Sequence, residues 1–115
     1  MVELSHVPER GDLIWLNFTP QAGHEQAGRR PALVLTPRRY NGLTGLLLAA
    51  PVTSRARGYP FEVALPPGLP VSGVLLSDHT RSLDWRSRQA ETIVAAPQHV
   101  LDEVLAKLAA LLSLP

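Results

Sequence analysis

The stretch Gly23-His24-Glu25-Gln26-Ala27-Gly28-Arg29-Arg30-Pro31-Ala32-Leu33-Val34-Leu35-Thr36-Pro37 changes character at its middle. Its first half is a polar loop bounded by glycines. Its second half is an apolar run, Pro31 to Thr36, that reads as a strand stopped by Pro37, a residue that cannot donate to a ladder. A charged loop rooted on a strand end is a common way to build a site, because the strand fixes what the loop presents. The stretch therefore predicts a sheet protein whose chemistry gathers where loops leave strands.

Working outward, Gly11 to Phe18 reads as another strand. Leu13, Trp15 and Asn17 point one way and Ile14, Leu16 and Phe18 the other. Apolar side chains on both faces predict burial on both sides for part of its length. Arg38 to Gly42 predicts a turn or a single helical turn. Leu46 to Thr53 is rich in Leu and Ala, which favour helix. Its shortness and the Gly45 and Pro51 boundaries favour a buried strand. Phe61, Val63 and Leu65 alternate with Glu62 and Ala64, the pattern of a half-buried strand over Tyr59 to Leu65. Pro66 to Pro70 is a turn cluster. Gly73 to Asp78 predicts a further strand, Ser82 to Trp85 an irregular or one-turn segment, and Glu91 to Val94 a last strand.

Pro97 then opens a helix. Val100, Leu101, Val104, Leu105, Leu108, Leu111 and Leu112 recur at helical spacing and form an apolar stripe. Asp102 and Glu103 early and Lys107 later suit the helix dipole. Short strands with frequent turn signals, closed by one helix, predict a mainly β chain with a C-terminal α-helix. The expected architecture is a compact barrel or curled sheet forming one domain over residues 1–115.

Composition narrows the function. The chain is 45% hydrophobic and 18% charged, a globular balance. No apolar run approaches the roughly 18–20 residues of a membrane span. Met1 to His6 does not read as a secretory leader. Cysteine is absent, which excludes disulfides and thiolate metal ligands and fits a reducing cytoplasm. The net charge of +1 hides a skew: six arginines and no acid stand between Gln26 and Arg57. Arg81, Arg86 and Arg88 follow. Guanidinium forks match phosphate, so an anionic partner is one reading, with nucleic acid the leading anion. A solvated basic surface is the other.

Several blocks together resemble one family. Gly11-Asp12-Leu13-Ile14-Trp15, Glu25-Gln26-Ala27-Gly28-Arg29-Arg30-Pro31, Pro51-Val52-Thr53-Ser54, Gly58-Tyr59-Pro60-Phe61 and Ser77-Asp78 are similar, in order, to the MazF/PemK toxins. The resemblance implies an SH3-like curled β-barrel with a C-terminal helix, forming a homodimer. It implies an endoribonuclease that needs no metal or other cofactor, cuts single-stranded RNA at short motifs, and is inhibited by a cognate antitoxin lying in the RNA groove.

RNA can be cut by its own 2′-hydroxyl. The reaction needs a base for that hydroxyl, an acid for the departing 5′-oxygen, and cations around the phosphorane. By resemblance, Arg30 binds the transition-state phosphate, Thr53 holds a non-bridging oxygen, and Glu25 acts as base or orients Arg30. His24 and Asp78 match an alternative acid–base set used by PemK-type members. That set carries an arginine where this chain has Leu76, so the Arg30/Thr53 pair is favoured. His79 stands where the family usually has Gln. Arg29, Tyr40, Asn41, Arg55, Arg57, His79 and Arg86 complete the expected RNA-binding set.

Plainer roles stay open beside these. Arg30 could simply pair with Glu25, Thr53 could only end a strand, Glu25 could brace its loop, and His24 could face solvent. Asp78 could cap a segment at Ser82. Trp15 and Trp85 suit a core better than a base-stacking platform. Two other functions compete with the nuclease: a gyrase-binding toxin resembling CcdB, and an RNA-binding domain without catalysis. The Glu-Gln-x-Gly-x-Arg-Pro loop favours the enzyme.

Overall fold

The computed structural model describes residues 7–19 and 28–115. His24 and Glu25 lie outside the described residues. The elements are β1 (Asp12–Asn17), β2 (Arg29–Val34), α1 (Arg38–Thr44), β3 (Leu46–Thr53), β4 (Glu62–Ala64), β5 (Val74–Leu76), β6 (Arg81–Asp84), β7 (Glu91–Ala95) and α2 (Gln98–Leu112). A 3-10 turn, Ser77–His79, separates β5 from β6.

All seven strands join one antiparallel sheet, ordered β4-β5-β3-β2-β1-β7, with β6 added on β3. β3 is the hub because it changes partner along one edge. Leu46 to Ala49 pair with β6, and Val52 and Thr53 pair with β5. Pro51 stands between these two pairings, so its missing N–H interrupts neither. The other edge of β3 pairs with β2 from Val34↔Ala49 to Ala32↔Pro51.

The two-faced pattern of β1 is realised as two cores. Ile14, Leu16 and Phe18 pack with Ala32, Val34, Leu47, Ala49, Leu83 and Trp85 on one face. Leu13 packs with Leu33, Ala50, Val52 and Leu75 on the other, under Val100, Leu101 and Val104 of α2. The mainly β architecture with a closing helix is thus the one expected. Among the described residues, no helix is long and apolar enough to cross a membrane.

Three local expectations differ. Arg81 to Asp84 form a strand, not an irregular segment, because pairing with Leu46 to Ala49 of β3 imposes extension. The helix α1 is longer than a turn and ends at Gly45 in the left-handed region, φ 73°. α2 has no acid in its first turn and no base in its last, so the dipole reading of Asp102, Glu103 and Lys107 does not hold. The apolar stripe of α2 is also only half used. Val100, Leu101 and Val104 are buried, whereas Leu112 is 82% exposed.

Several arginines serve the fold rather than an anion. Arg10 Nε donates to Leu35 O at 2.8 Å, Arg38 Nε to Val7 O at 3.1 Å, and Arg88 Nη1 to Asn17 O at 3.0 Å. A guanidinium is a multiple donor and satisfies carbonyls that the sheet leaves over. The charge skew thus overstated the surface left for a partner.

Candidate active site

The β2–β3 ladder runs down to Ala32↔Pro51. Continued by two residues, the same register sets Arg30 opposite Thr53. The ladder stops there for a chemical reason. Leu35 N donates to Leu48 O at 2.8 Å, so odd-numbered residues of this stretch face β3, and Pro31 has no N–H to donate. Arg30 and Thr53 share the face of Ala32, Ala49 and Leu16, since side chains alternate along a strand. Arg30 is cross-strand from the fully buried Leu16. A cation and a hydroxyl therefore stand on one face at the rim of an apolar core, where a phosphate would lose part of its competing water.

Thr53 is only 8% exposed, and its Oγ1 accepts from Arg55 N at 3.3 Å. An oxygen that accepts from the chain keeps its own O–H to donate. Beyond it, Arg55 and Arg57 sit exposed in the 54–60 loop. This loop is held from two sides. The Glu62 carboxylate accepts from Arg57 N at 3.1 Å and from Gly58 N at 3.0 Å. Lys107 Nζ donates to Pro60 O at 2.6 Å.

The remaining expected residues scatter. Arg29 faces the side of β2 opposite to Arg30 and pairs with Glu91 at 2.6 Å. It stands apart from the Arg30–Thr53 pair. Asn41 is corrected outright. It is fully buried, and its amide is spent on Pro8 O at 2.8 Å, Thr36 O at 3.0 Å and Thr36 Oγ1 at 2.6 Å. No donor or acceptor of that side chain faces a ligand, so Asn41 belongs to the fold. Tyr40 lies on α1, which leads into the Leu46 end of β3, opposite to Thr53. Asp78 and His79 occupy the 77–79 turn, between the β5 and β6 pairings with β3. Asp78 is exposed, and Ser82 stands in a strand, so there is no helical segment for Asp78 to cap.

Arg86 stacks on Trp85, its Cζ 4.7 Å from the ring centroid. Trp85 is a core residue whose Nε1 donates to Asn41 O at 2.9 Å. The guanidinium is thus pre-set on an aromatic lid. Asp84 fixes the same turn. The Ser87 N–H holds its carboxyl below the ordinary aspartate range.

Arg81 stands outside the expected RNA-binding set. It is half-buried on β6, cross-strand from Ala49, and so on the face of Arg30 and Thr53. The alternation of Arg81 and Leu83 against Ser82 and Asp84 was the signal that could have placed it.

A curled antiparallel sheet with an arginine and a threonine on facing strands, and a basic loop beside them, offers donors of the kind that suit an anion. Residues 9–112 match the family described as the PemK-like, MazF-like toxin of type II toxin–antitoxin systems, and the chain belongs to it. Among its relatives is the endoribonuclease toxin MazF of Escherichia coli strain K12, 52% identical over 85 residues, which are 74% of this chain and 76% of that protein. Among solved structures, MazF from Deinococcus radiodurans is 68% identical, with a TM-score of 0.92 over 95% of this chain and 99% of that one. A MazE–MazF structure from the same organism is 67% identical, with a TM-score of 0.86 over 96% and 99%.

Proposed function

We propose that this chain is an endoribonuclease toxin that cuts single-stranded RNA without a metal, and that a cognate antitoxin restrains it. The observation that carries the reading is the β2–β3 register, which ends at Ala32↔Pro51 and, continued by two residues, sets Arg30 opposite Thr53. Membership of a toxin family and the name of the Escherichia coli relative support it. The 2′-hydroxyl gives up its proton as its oxygen attacks the adjacent phosphorus, the bond to the 5′-oxygen breaks as that oxygen takes up a proton, and the products are a 2′,3′-cyclic phosphate and a 5′-hydroxyl. Arg30 neutralises the charge that grows on the phosphorane, its guanidinium staying protonated throughout. Thr53 Oγ1 donates to a non-bridging oxygen. Glu25 takes the 2′-proton or orients Arg30, and His24 and Asp78 are the alternative proton carriers. Arg55, Arg57, Arg86 and His79 hold the flanking nucleotides.

The antitoxin is expected to occupy the same face, and the existence of a solved MazE–MazF relative supports an antitoxin as partner. The active form is a homodimer in the cytoplasm. Leu43, Leu46 and Leu48, with 77%, 37% and 38% of their surfaces exposed near the α1–β3 junction, supply apolar area that a second copy would cover. The test is incubation of purified protein with varied single-stranded RNA in EDTA. Cleavage leaving cyclic phosphate is expected, and Arg30→Ala and Thr53→Ala should each remove most of it. An uncut RNA pool, or full activity in both variants, would overturn the reading.

A further inference from the structure

The residue that sets the position of Thr53 lies on another strand. Gly73 immediately precedes β5, whose Val74 pairs with Thr53. Its φ is +126°, a region that favours glycine. A Cβ on Gly73 would overlap the carbonyl oxygen of Thr53 and lie 3.0 Å from its carbonyl carbon and 3.3 Å from Ser54 Cα. All of these are backbone atoms, so no side chain can turn aside to make room. Gly73 is held from the far side as well, its carbonyl accepting from Leu65 N at 3.0 Å. The end of β3 therefore rests directly on the Gly73 backbone.

We propose that Gly73 is a positioning residue for RNA cleavage: its bare Cα seats the Thr53–Ser54 backbone and thereby aims the Thr53 hydroxyl at the phosphate. The inference rests on the Arg30–Thr53 reading above. Thr53 Oγ1 is tied to Arg55 N. A shift of the Thr53 carbonyl therefore moves the hydroxyl and the entry to the arginine loop together. Strand β3 keeps its pairing with β2 and β6, so the effect stays local to this strand end.

The test uses the full chain and a short RNA carrying a site that the wild type cuts. In Gly73→Ala the carbonyl must move by on the order of 1 Å, and kcat should fall on the order of 10²-fold, the cost of such a displacement at a reacting centre. KM should change by less than about threefold, because flanking contacts remain. In the Gly73→Ala/Thr53→Ala double variant, the loss should equal that of Thr53→Ala alone. A general loss of stability would instead multiply with it. The methyl resonance of Thr53 should shift in Gly73→Ala while those of Thr36 and Thr44 stay. Wild-type kcat in a folded Gly73→Ala, or losses that multiply, would overturn the proposal.

If Gly73→Ala does not fold, the three-bond couplings of Thr53 in the wild type decide. A single χ1 rotamer supports the seat, and averaging over rotamers overturns it. If the wild type cuts no RNA, the nuclease reading falls, and the methyl shift and couplings still judge the seat by themselves.

Discussion

Lys107 Nζ on α2 lies 2.6 Å from the carbonyl oxygen of Pro60 and 3.0 Å from that of Glu62. The Glu62 carboxylate in turn accepts from the N–H groups of Arg57 and Gly58. The C-terminal helix is thereby tied to the loop that carries Arg55 and Arg57. Lys107→Met keeps the stem and removes the donors. It should cost about 1–2 kcal/mol in urea unfolding, since hydrogen bonds from a charged group are the stronger kind and this one is partly screened. Amide exchange at Arg57 and Gly58 should quicken, and KM for RNA should rise more than kcat falls. Unchanged exchange at those two amides would show that the helix does not hold the loop.

Asn41→Ala tests the reassignment of that residue. The change strands two backbone carbonyls and the Thr36 hydroxyl inside the protein. Each buried group left unpaired carries a desolvation cost, and the total should be about 3 kcal/mol in thermal or urea melts. KM for RNA, measured well below the melting range, should stay at the wild-type value. A raised KM with unchanged stability would return Asn41 to the RNA-binding set.

How far the sequence reached depends on whether a feature is local. Leu46 to Thr53 was read as a strand with the bounds it has, because Gly45 marks its start and the run carries on through Pro51 to Thr53. β6 was missed because an alternation only four residues long does not decide a strand, and its extended state comes from pairing with β3. The same distinction applies to the site. Arg30 and Thr53 were each picked out by motif, but their meeting depends on the β2–β3 register, which no single strand encodes. Asn41 was misread since a short polar residue looks alike whether it faces water or a pair of carbonyls. Arg38 and Arg88 swelled the arginine skew for a similar reason: charge is visible in a sequence, and a bond to Val7 O or Asn17 O is not. Gly73 shows only as the first residue of a strand until Thr53 is placed on top of it.

Glu9 gives a pH signature. Its carboxyl is held below the usual glutamate range, chiefly by the Arg38 N–H and further by that of Arg10. A depressed folded pKa means stability that is fully present above the unfolded value of 4.5 and lost as pH falls through the folded value. Glu9→Gln should therefore be less stable than the wild type at neutral pH. The gap should close as the pH drops below the unfolded value. Melts of both proteins across that range check it, and a gap that widens in acid would contradict the assignment.

Arg55 and Arg57 differ from Arg38 in what their guanidinium groups touch. Arg55 and Arg57 are exposed beside Thr53, whereas Arg38 Nε is committed to Val7 O. If the first two track phosphates, Arg55→Ala and Arg57→Ala should each weaken binding of single-stranded RNA by a similar factor whatever its sequence. Each should also lower the slope of log K against log salt by about 0.7, the counterion release of one single-strand contact. Arg38→Ala removes the same formal charge, so it should lower the melting temperature and leave the slope as it was. The measurement is fluorescence anisotropy with a 2′-O-methyl RNA, which binds and cannot be cut, over a salt series. Equal slope changes in all three variants would mean that net charge alone attracts RNA, and that the 54–60 loop has no privileged place in the groove.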